Sequence, residues 1–225
     1  MRRSLHFVPG GNDRMFEKAL KLPADSLILD LEDSVTPSNK KAARDEVCNW
    51  IKEVDFENQE CLVRINPLDT SWGLDDLQAV AEALPDGIVL PKVAKKKDVT
   101  KIDSIVGDVE RQKQIEEGSI SFVLIGTEVP EAVFNLYKMA KIPRVDAITW
   151  GAEDLSGALG AKAKRDSEGN YLEVFSYVRS ACLLAAVAGD ANPIDAVYVD
   201  IKNPDGLTQE CEDGAKMGYT GKVTI

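Results

Sequence analysis

Acidic and basic side chains stand at the ends of apolar runs in this sequence, and those positions are where chemistry is to be sought. One run passes into Asp30-Leu31-Glu32-Asp33, and the next contains Arg64-Ile65-Asn66. Later runs end at Lys92, at Thr127-Glu128, at Glu153-Asp154 and at Asp200. Ionised carboxylates are acceptor-only oxygen ligands. They suit a hard cation such as Mg2+, which takes one or two of them and keeps waters at about 2.0–2.1 Å. Glu128 and Asp154 form the strongest pair for that role; the alternative is that both serve helix starts, as caps or as dipole partners. Arg64 offers a planar fork for a bidentate grip on a substrate carboxylate, or for a buried ion pair with Asp30 or Glu32.

Other features carry less chemistry. Pro9-Gly10-Gly11-Asn12 reads as a turn into a helix whose free N–H groups can meet an anion, and Arg14 and Lys18, four apart, share a helix face. Gly157 and Gly160 have the wrong spacing for a dinucleotide fingerprint, and Lys95-Lys96-Lys97 reads as a solvated helix start. Trp150, beside Gly151, is expected to pack near the mouth of the fold. His6 is the only histidine, so a zinc site built on several histidines or a Ser-His-Asp machine is excluded in practice. Cys48, Cys61, Cys182 and Cys211 are scattered without a CxxC pair, which points to a reducing cytosol.

The elements that must position these groups follow from hydrophobic patterning. Short, mostly continuous runs of Val, Ile and Leu at 5–8, 26–31, 61–65, 87–91, 121–126, 147–150, 196–199 and 221–225 read as strands covered on both faces. Helical spacing occupies 39–54, 74–84, 130–140, 174–188 and 207–217. Eight strands alternating with helices predict a parallel (β/α)8 TIM barrel, with an open doubly wound sheet as the alternative. No linker divides the 225 residues, so one domain over 1–225 is expected. Its eighth strand is the last segment, with the closing helix missing and a further tail expected beyond Ile225.

Composition narrows the partners. Hydrophobic residues make up 44% and charged residues 29%, an ordinary globular balance, and the net charge is −11. So acidic a chain disfavours nucleic acid and anionic membrane as partners. No run is long enough to span a bilayer, and the N-terminus lacks the apolar stretch and cleavage site of a signal peptide.

Six motifs in order resemble the HpcH/HpaI aldolase and citrate lyase β-subunit family, its CitE-like branch above all. They are Ser4-Leu-His-Phe-Val-Pro-Gly-Gly-Asn12, Leu27-Ile-Leu-Asp-Leu-Glu-Asp-Ser-Val35, Val63-Arg-Ile-Asn66, Val89-Leu-Pro-Lys92, Gly126-Thr-Glu128 and Trp150-Gly-Ala-Glu-Asp-Leu155. The resemblance implies a barrel that assembles as a trimer or hexamer with Mg2+ at the strand ends. It implies Glu128 and Asp154 as metal ligands and Arg64 as the group that binds a keto-acid carboxylate. Glu32 and Asp33 would support the metal waters and the arginine, while Phe7, Arg14 and Lys18 match positions that touch a CoA thioester arm. Members of the family continue from the last strand into His-Pro and a C-terminal segment that supplies an acid to a neighbouring subunit. The implied activity is Mg2+-dependent cleavage or formation of a 3-hydroxyacyl-CoA such as malyl-, citramalyl- or citryl-CoA, giving an acyl-CoA and a small α-keto acid. Two alternatives stand beside it: a CoA-independent pyruvate-type aldolase, from which a catalytic histidine is expected, and a non-catalytic barrel subunit or ligand-binding module.

Overall fold

Strands that are apolar on both faces need cover on both faces, and helical crossovers between parallel neighbours supply it. The structure, a computed structural model, describes residues 2–225. Its strands are β1 (Ser4–Pro9), β2 (Ser26–Asp30), β3 (Glu60–Arg64), β4 (Gly87–Leu90), β5 (Ser121–Ile125), β6 (Val145–Thr149), β7 (Asn192–Asp195) and β8 (Gly221–Thr224). They form a closed, all-parallel barrel in sequence order. The ladder that closes it pairs Ser4, Leu5 and His6 of β1 with Lys222, Val223 and Thr224 of β8. That ladder removes the free edges an open doubly wound sheet would keep. β8 is the last element, as the patterning predicts.

Around the barrel run α1 (Asp13–Ala19), α2 (Lys40–Glu53), α3 (Gly73–Ala83), α4 (Lys96–Lys113), α5 (Pro130–Val133), α6 (Leu136–Ala140), α7 (Ala152–Leu159), α8 (Glu173–Ala188) and α9 (Pro204–Met217). In α4 the buried side chains Val99, Ile102, Val106 and Val109 recur at three- and four-residue steps, which makes one apolar stripe. In α9 the Asn203 side chain caps the N-terminus, Pro204 opens the first turn and Gly218, in the left-handed region, ends the helix. The single helix predicted over 130–140 is two short ones. The break lies at Phe134 and Asn135, where the Asn135 amide donates to the carbonyls of Ala94 and Glu131 at 3.2 and 3.1 Å.

Alternation along the strands sorts the core into two layers. Leu5, Ile28, Leu62, Val89, Val123, Ala147, Ile194 and Val223 fill the barrel. Their neighbours Leu29, Val63, Ile88, Leu90, Leu124 and Ile148 face outward and pack under the helices. The seventh strand is not where its composition placed it. It is 192–195, and 196–199 follows it as irregular chain, with Val197 packed against the barrel interior. Asn192-Pro193 reads as a turn, yet Pro193 pairs beside Ile148 and its carbonyl accepts from Thr220 N at 3.0 Å. Strand identity there comes from neighbours on both sides rather than from β propensity.

Candidate active site

Two residues above the inward layer, at the carboxyl end of the barrel, the same alternation that buries Ile28 and Leu62 turns Asp30 and Arg64 toward the mouth. The two are register partners across β2 and β3. Arg64 donates from Nε to Asp30 Oδ1 at 2.7 Å and from Nη2 to Oδ2 at 2.8 Å. Each Asp30 oxygen also accepts one backbone N–H, Oδ1 from Glu32 at 2.9 Å and Oδ2 from Ser34 at 3.1 Å. Burial pushes the Asp30 carboxyl up, but these bonds and the arginine hold it below the usual carboxylate range. The ion-pair reading of Arg64 is thus realised on its Nε–Nη2 edge. Its Nη1 remains toward Glu32 and Asp33, 3.1 and 3.7 Å from their carboxylates, and its guanidinium lies 4.6 Å from the centre of the Phe7 ring.

A cluster of carboxylates surrounds that end of Arg64. Lys92 extends its ammonium to Glu32 Oε1 at 2.6 Å and to Asp154 Oδ1 at 3.4 Å, and its backbone N–H donates to Glu128 Oε2 at 2.7 Å. Glu128 stands against Gly151, where a Cβ would meet Glu128 Cγ at 2.7 Å, so a side chain there would displace the carboxylate. Gly151 is also the N-cap of α7, whose first turn carries Asp154. That shared residue brings the two acids from successive strand ends toward one place. Neither acts as the cap its position allowed: the residue before α5 is Val129, and Asp154 lies inside α7. Burial, with Glu32 and Asp154 nearby, pushes the Glu128 carboxyl up to about 8, and burial also raises that of Glu32.

The donor set fits a hard divalent cation. Glu32 Oε2 is buried without a hydrogen-bond partner, with only the ionic contact to Arg64 Nη1 at 3.1 Å, and the mutual repulsion felt at Glu128 is what a cation relieves. No three His, Cys, Asp or Glu side chains among the described residues are gathered into a ready cage; Mg2+ asks for only one or two carboxylates and completes its shell with water and substrate oxygens. A cavity of about 430 Å3 opens over this cluster, walled by Phe7, Arg64, Glu128, Trp150, Asp154 and Val197 among others. That is the size of a small-molecule site. A second cavity of about 580 Å3 adjoins it between the ends of β3, β4 and β5, with Lys92 on its wall.

The structure therefore gathers Arg64, Glu32, Asp33, Glu128, Asp154 and Phe7, and leaves two expected residues outside. Arg14 and Lys18 are exposed on α1 and do not line the cavity, whereas their neighbour Met15 does. The Gly10 N–H is not free for an anion, since it donates to the Asp30 carbonyl at 2.9 Å. Asp200 is exposed beyond the true strand, and the strand's own acid, Asp195, points outward to Arg179, Lys222 and the Trp150 indole. His6 also faces away from the barrel interior, with Nδ1 2.9 Å from Thr224 Oγ1. Two further residues, Lys40 and Asn66, support the loop after β2. Lys40 Nζ donates to the carbonyls of Leu31 and Glu32 at 2.8 and 2.6 Å, and Asn66 Nδ2 donates to Leu31 O at 2.8 Å. Asn66 lies within the Arg-Ile-Asn motif, a signal that could have found it; Lys40 carries none.

The HpcH/HpaI aldolase/citrate lyase family model matches residues 3–225. The chain belongs to that family. Among its HpcH/HpaI relatives, a (3S)-malyl-CoA thioesterase of Cereibacter sphaeroides is 34% identical over 223 residues, covering 99% of this chain and 72% of the relative. The citrate lyase subunit beta of Escherichia coli is 34% identical over 225 residues, covering 100% of this chain and 72% of that subunit. The structure of Mycobacterium tuberculosis CitE in complex with magnesium, acetoacetate and coenzyme A superposes with a TM-score of 0.81 at 30% identity, over 100% of this chain and 76% of that one. This HpcH/HpaI chain is an enzyme of the lyase type. None of the helices among its described residues is long and apolar enough to cross a membrane.

Proposed function

We propose that the chain is a Mg2+-dependent carbon–carbon lyase that cleaves, or in reverse forms, a 3-hydroxyacyl-CoA thioester of the malyl-, citramalyl- or citryl-CoA kind. The observation that carries this reading is the convergence of Glu32, Asp33, Glu128 and Asp154 around the Nη1 end of Arg64 at the carboxyl end of the barrel. Glu128 and Asp154 would hold the metal. When bound, Mg2+ supplies Lewis-acid polarisation of the keto-acid oxygens. Arg64, immobilised by Asp30, would orient a substrate carboxylate through Nη1, which gives up its 3.1 Å contact with Glu32 to do so. Glu32 Oε2, which faces Arg64 Nη1 without a hydrogen bond, would then be the acceptor for a hydroxyl or water proton. Phe7, Val197 and Val223 give the cavity an apolar wall that excludes water from the reacting carbon. Cleavage breaks the bond between the carbinol carbon and the carbon next to the thioester, leaving an α-keto acid and a thioester enolate that takes up a proton.

CoA-bound CitE supports the thioester over the free hydroxy-keto acid, and so does the outward-facing His6, which leaves no histidine at the mouth for a histidine-dependent aldolase. The thioesterase relative supports a second outcome, hydrolysis of the same thioester. Apolar side chains exposed on neighbouring α6 and α8, Tyr137, Leu184 and Val187, with Phe134 beside them, support assembly into a homo-oligomer, which sedimentation will read. The test of function is a screen of acetyl-CoA with glyoxylate, pyruvate and oxaloacetate. Alongside it, Mg2+ and keto acid are titrated separately into Asp154→Asn and Arg64→Lys by calorimetry. Asp154→Asn should weaken Mg2+ binding and turnover together, and Arg64→Lys should weaken keto-acid binding while Mg2+ binding survives. Unchanged Mg2+ affinity in Asp154→Asn refutes the metal assignment.

A further inference from the structure

Lys92 has no task in the reaction as described, yet it touches all four carboxylates of the mouth. Its ammonium lies 2.6 Å from Glu32, 3.4 Å from Asp154 and 3.9 Å from Asp33, and its N–H is bound to Glu128. Strand alternation does not put it there. Ile88 and Leu90 face the helices, so Lys92, two residues on, should do the same. A left-handed backbone, with φ of +53° at Lys92, turns the chain and swings the side chain inward. Such a conformation is costly for a residue with a Cβ and is kept where the surroundings over-determine it. Here Glu128 Oε2 locks the turn by accepting its N–H. The ammonium sits where acidic groups converge, while Glu32 Oε2 beside it has no hydrogen bond and only an ionic contact with Arg64 Nη1 at 3.1 Å. Lys92 also lines the 580 Å3 cavity between the ends of β3, β4 and β5, which gives its flexible stem room to retract.

We propose that Lys92 is an internal counter-cation that stands in for the metal among Glu32, Asp33 and Asp154 and withdraws into the adjoining cavity when the divalent ion enters. This rests on the reading that the mouth carboxylates hold Mg2+. Metal entry and the Lys92 contacts are then alternatives, and the lysine lowers the affinity of the site for free Mg2+ while keeping its carboxylates gathered.

The experiment is calorimetric titration of MgCl2, without substrate, into the parent and into Lys92→Met, Lys92→Gly and Lys92→Arg at fixed ionic strength. Lys92→Gly removes the ammonium and also relieves the left-handed backbone, so it carries the test should the Met variant fail to fold. Removing the ammonium should tighten Mg2+ binding about tenfold, whereas Lys92→Arg should stay within threefold of the parent. Lys95→Met, which removes a lysine outside the cluster, should leave the affinity unchanged. A gain below threefold in both neutral variants, or an equal gain in Lys95→Met, overturns the proposal and leaves the metal site standing if the parent binds Mg2+. Binding by the neutral variants alone supports it. If neither the parent nor any variant takes up Mg2+, the metal reading and the proposal both fail.

Discussion

Replacing Asp30 with Asn keeps the shape of the side chain and removes its charge, and the geometry leaves the amide no harmless orientation. Oδ1 accepts from Arg64 Nε and Glu32 N, and Oδ2 accepts from Arg64 Nη2 and Ser34 N. Whichever way the amide is flipped, its NH2 faces one guanidinium donor and one backbone donor. Both partners are nearly inaccessible, with side chains 11% and 3% exposed, so water cannot repair the loss. Breaking a buried ion pair by removing one partner costs about 3–5 kcal/mol. The lower end applies here, since Glu32 and Asp33 remain near Nη1 and share the arginine's charge. We therefore expect about 3 kcal/mol of lost stability, read from urea unfolding with an unchanged m value. The loosened Arg64 should also lower kcat/KM about 100-fold, the cost of misplacing an orienting group by about 1 Å. Because much of the stability cost is the arginine left unpaired, Asp30→Asn combined with Arg64→Met should lose less stability than the two single changes added together. A loss below about 1 kcal/mol in Asp30→Asn, or strict additivity in the double variant, would refute the clamp.

Gly10→Ala places a Cβ 2.7 Å from the Asp30 carbonyl and 3.2 Å from Leu31 and Val47 side chains; overpacking of this kind should cost about 1–3 kcal/mol and lower Tm, and an unchanged melt would show that the turn gives way freely. Asp195 accepts from Trp150, Arg179 and Lys222 at 2.7–3.1 Å, and these partners hold its carboxyl below the usual value against the upward push of burial. With the folded value below the unfolded one, its contribution to stability is complete above about pH 4 and is lost as pH falls through the folded value. Asp195→Asn should cost roughly 3–5 kcal/mol at pH 7 and flatten the acid limb of the stability–pH curve; an acid limb identical to the parent's would count against the network.

The barrel was legible in the sequence because it rests on local signals. Continuous Val/Ile/Leu runs mark strands covered on both faces, and Pro, Gly and cap residues punctuate the helices between them. The position of several mouth residues was legible too, since charge at the end of an apolar strand has only a few places to go once the barrel closes, but Asp200 lies beyond the true seventh strand and Arg14 and Lys18 stay outside on α1. What each charge does was decided by tertiary contacts. Arg64 could grip a ligand or pair with Asp30, and only the β2–β3 register, which sets the two side by side, assigns its Nε–Nη2 edge to Asp30. Lys92 turns inward against the alternation of its own strand because of one left-handed residue held by Glu128, 36 positions later in the chain. The seventh strand shifted from 196–199 to 192–195 because pairing with β6 and β8 on either side outweighs the turn-like look of Asn-Pro. Periodicity is a property of neighbours along the chain and survives in the sequence. Register, partner choice and burial belong to neighbours across it, where a shift of a single residue would turn every inward side chain outward, and these only the closed barrel could decide.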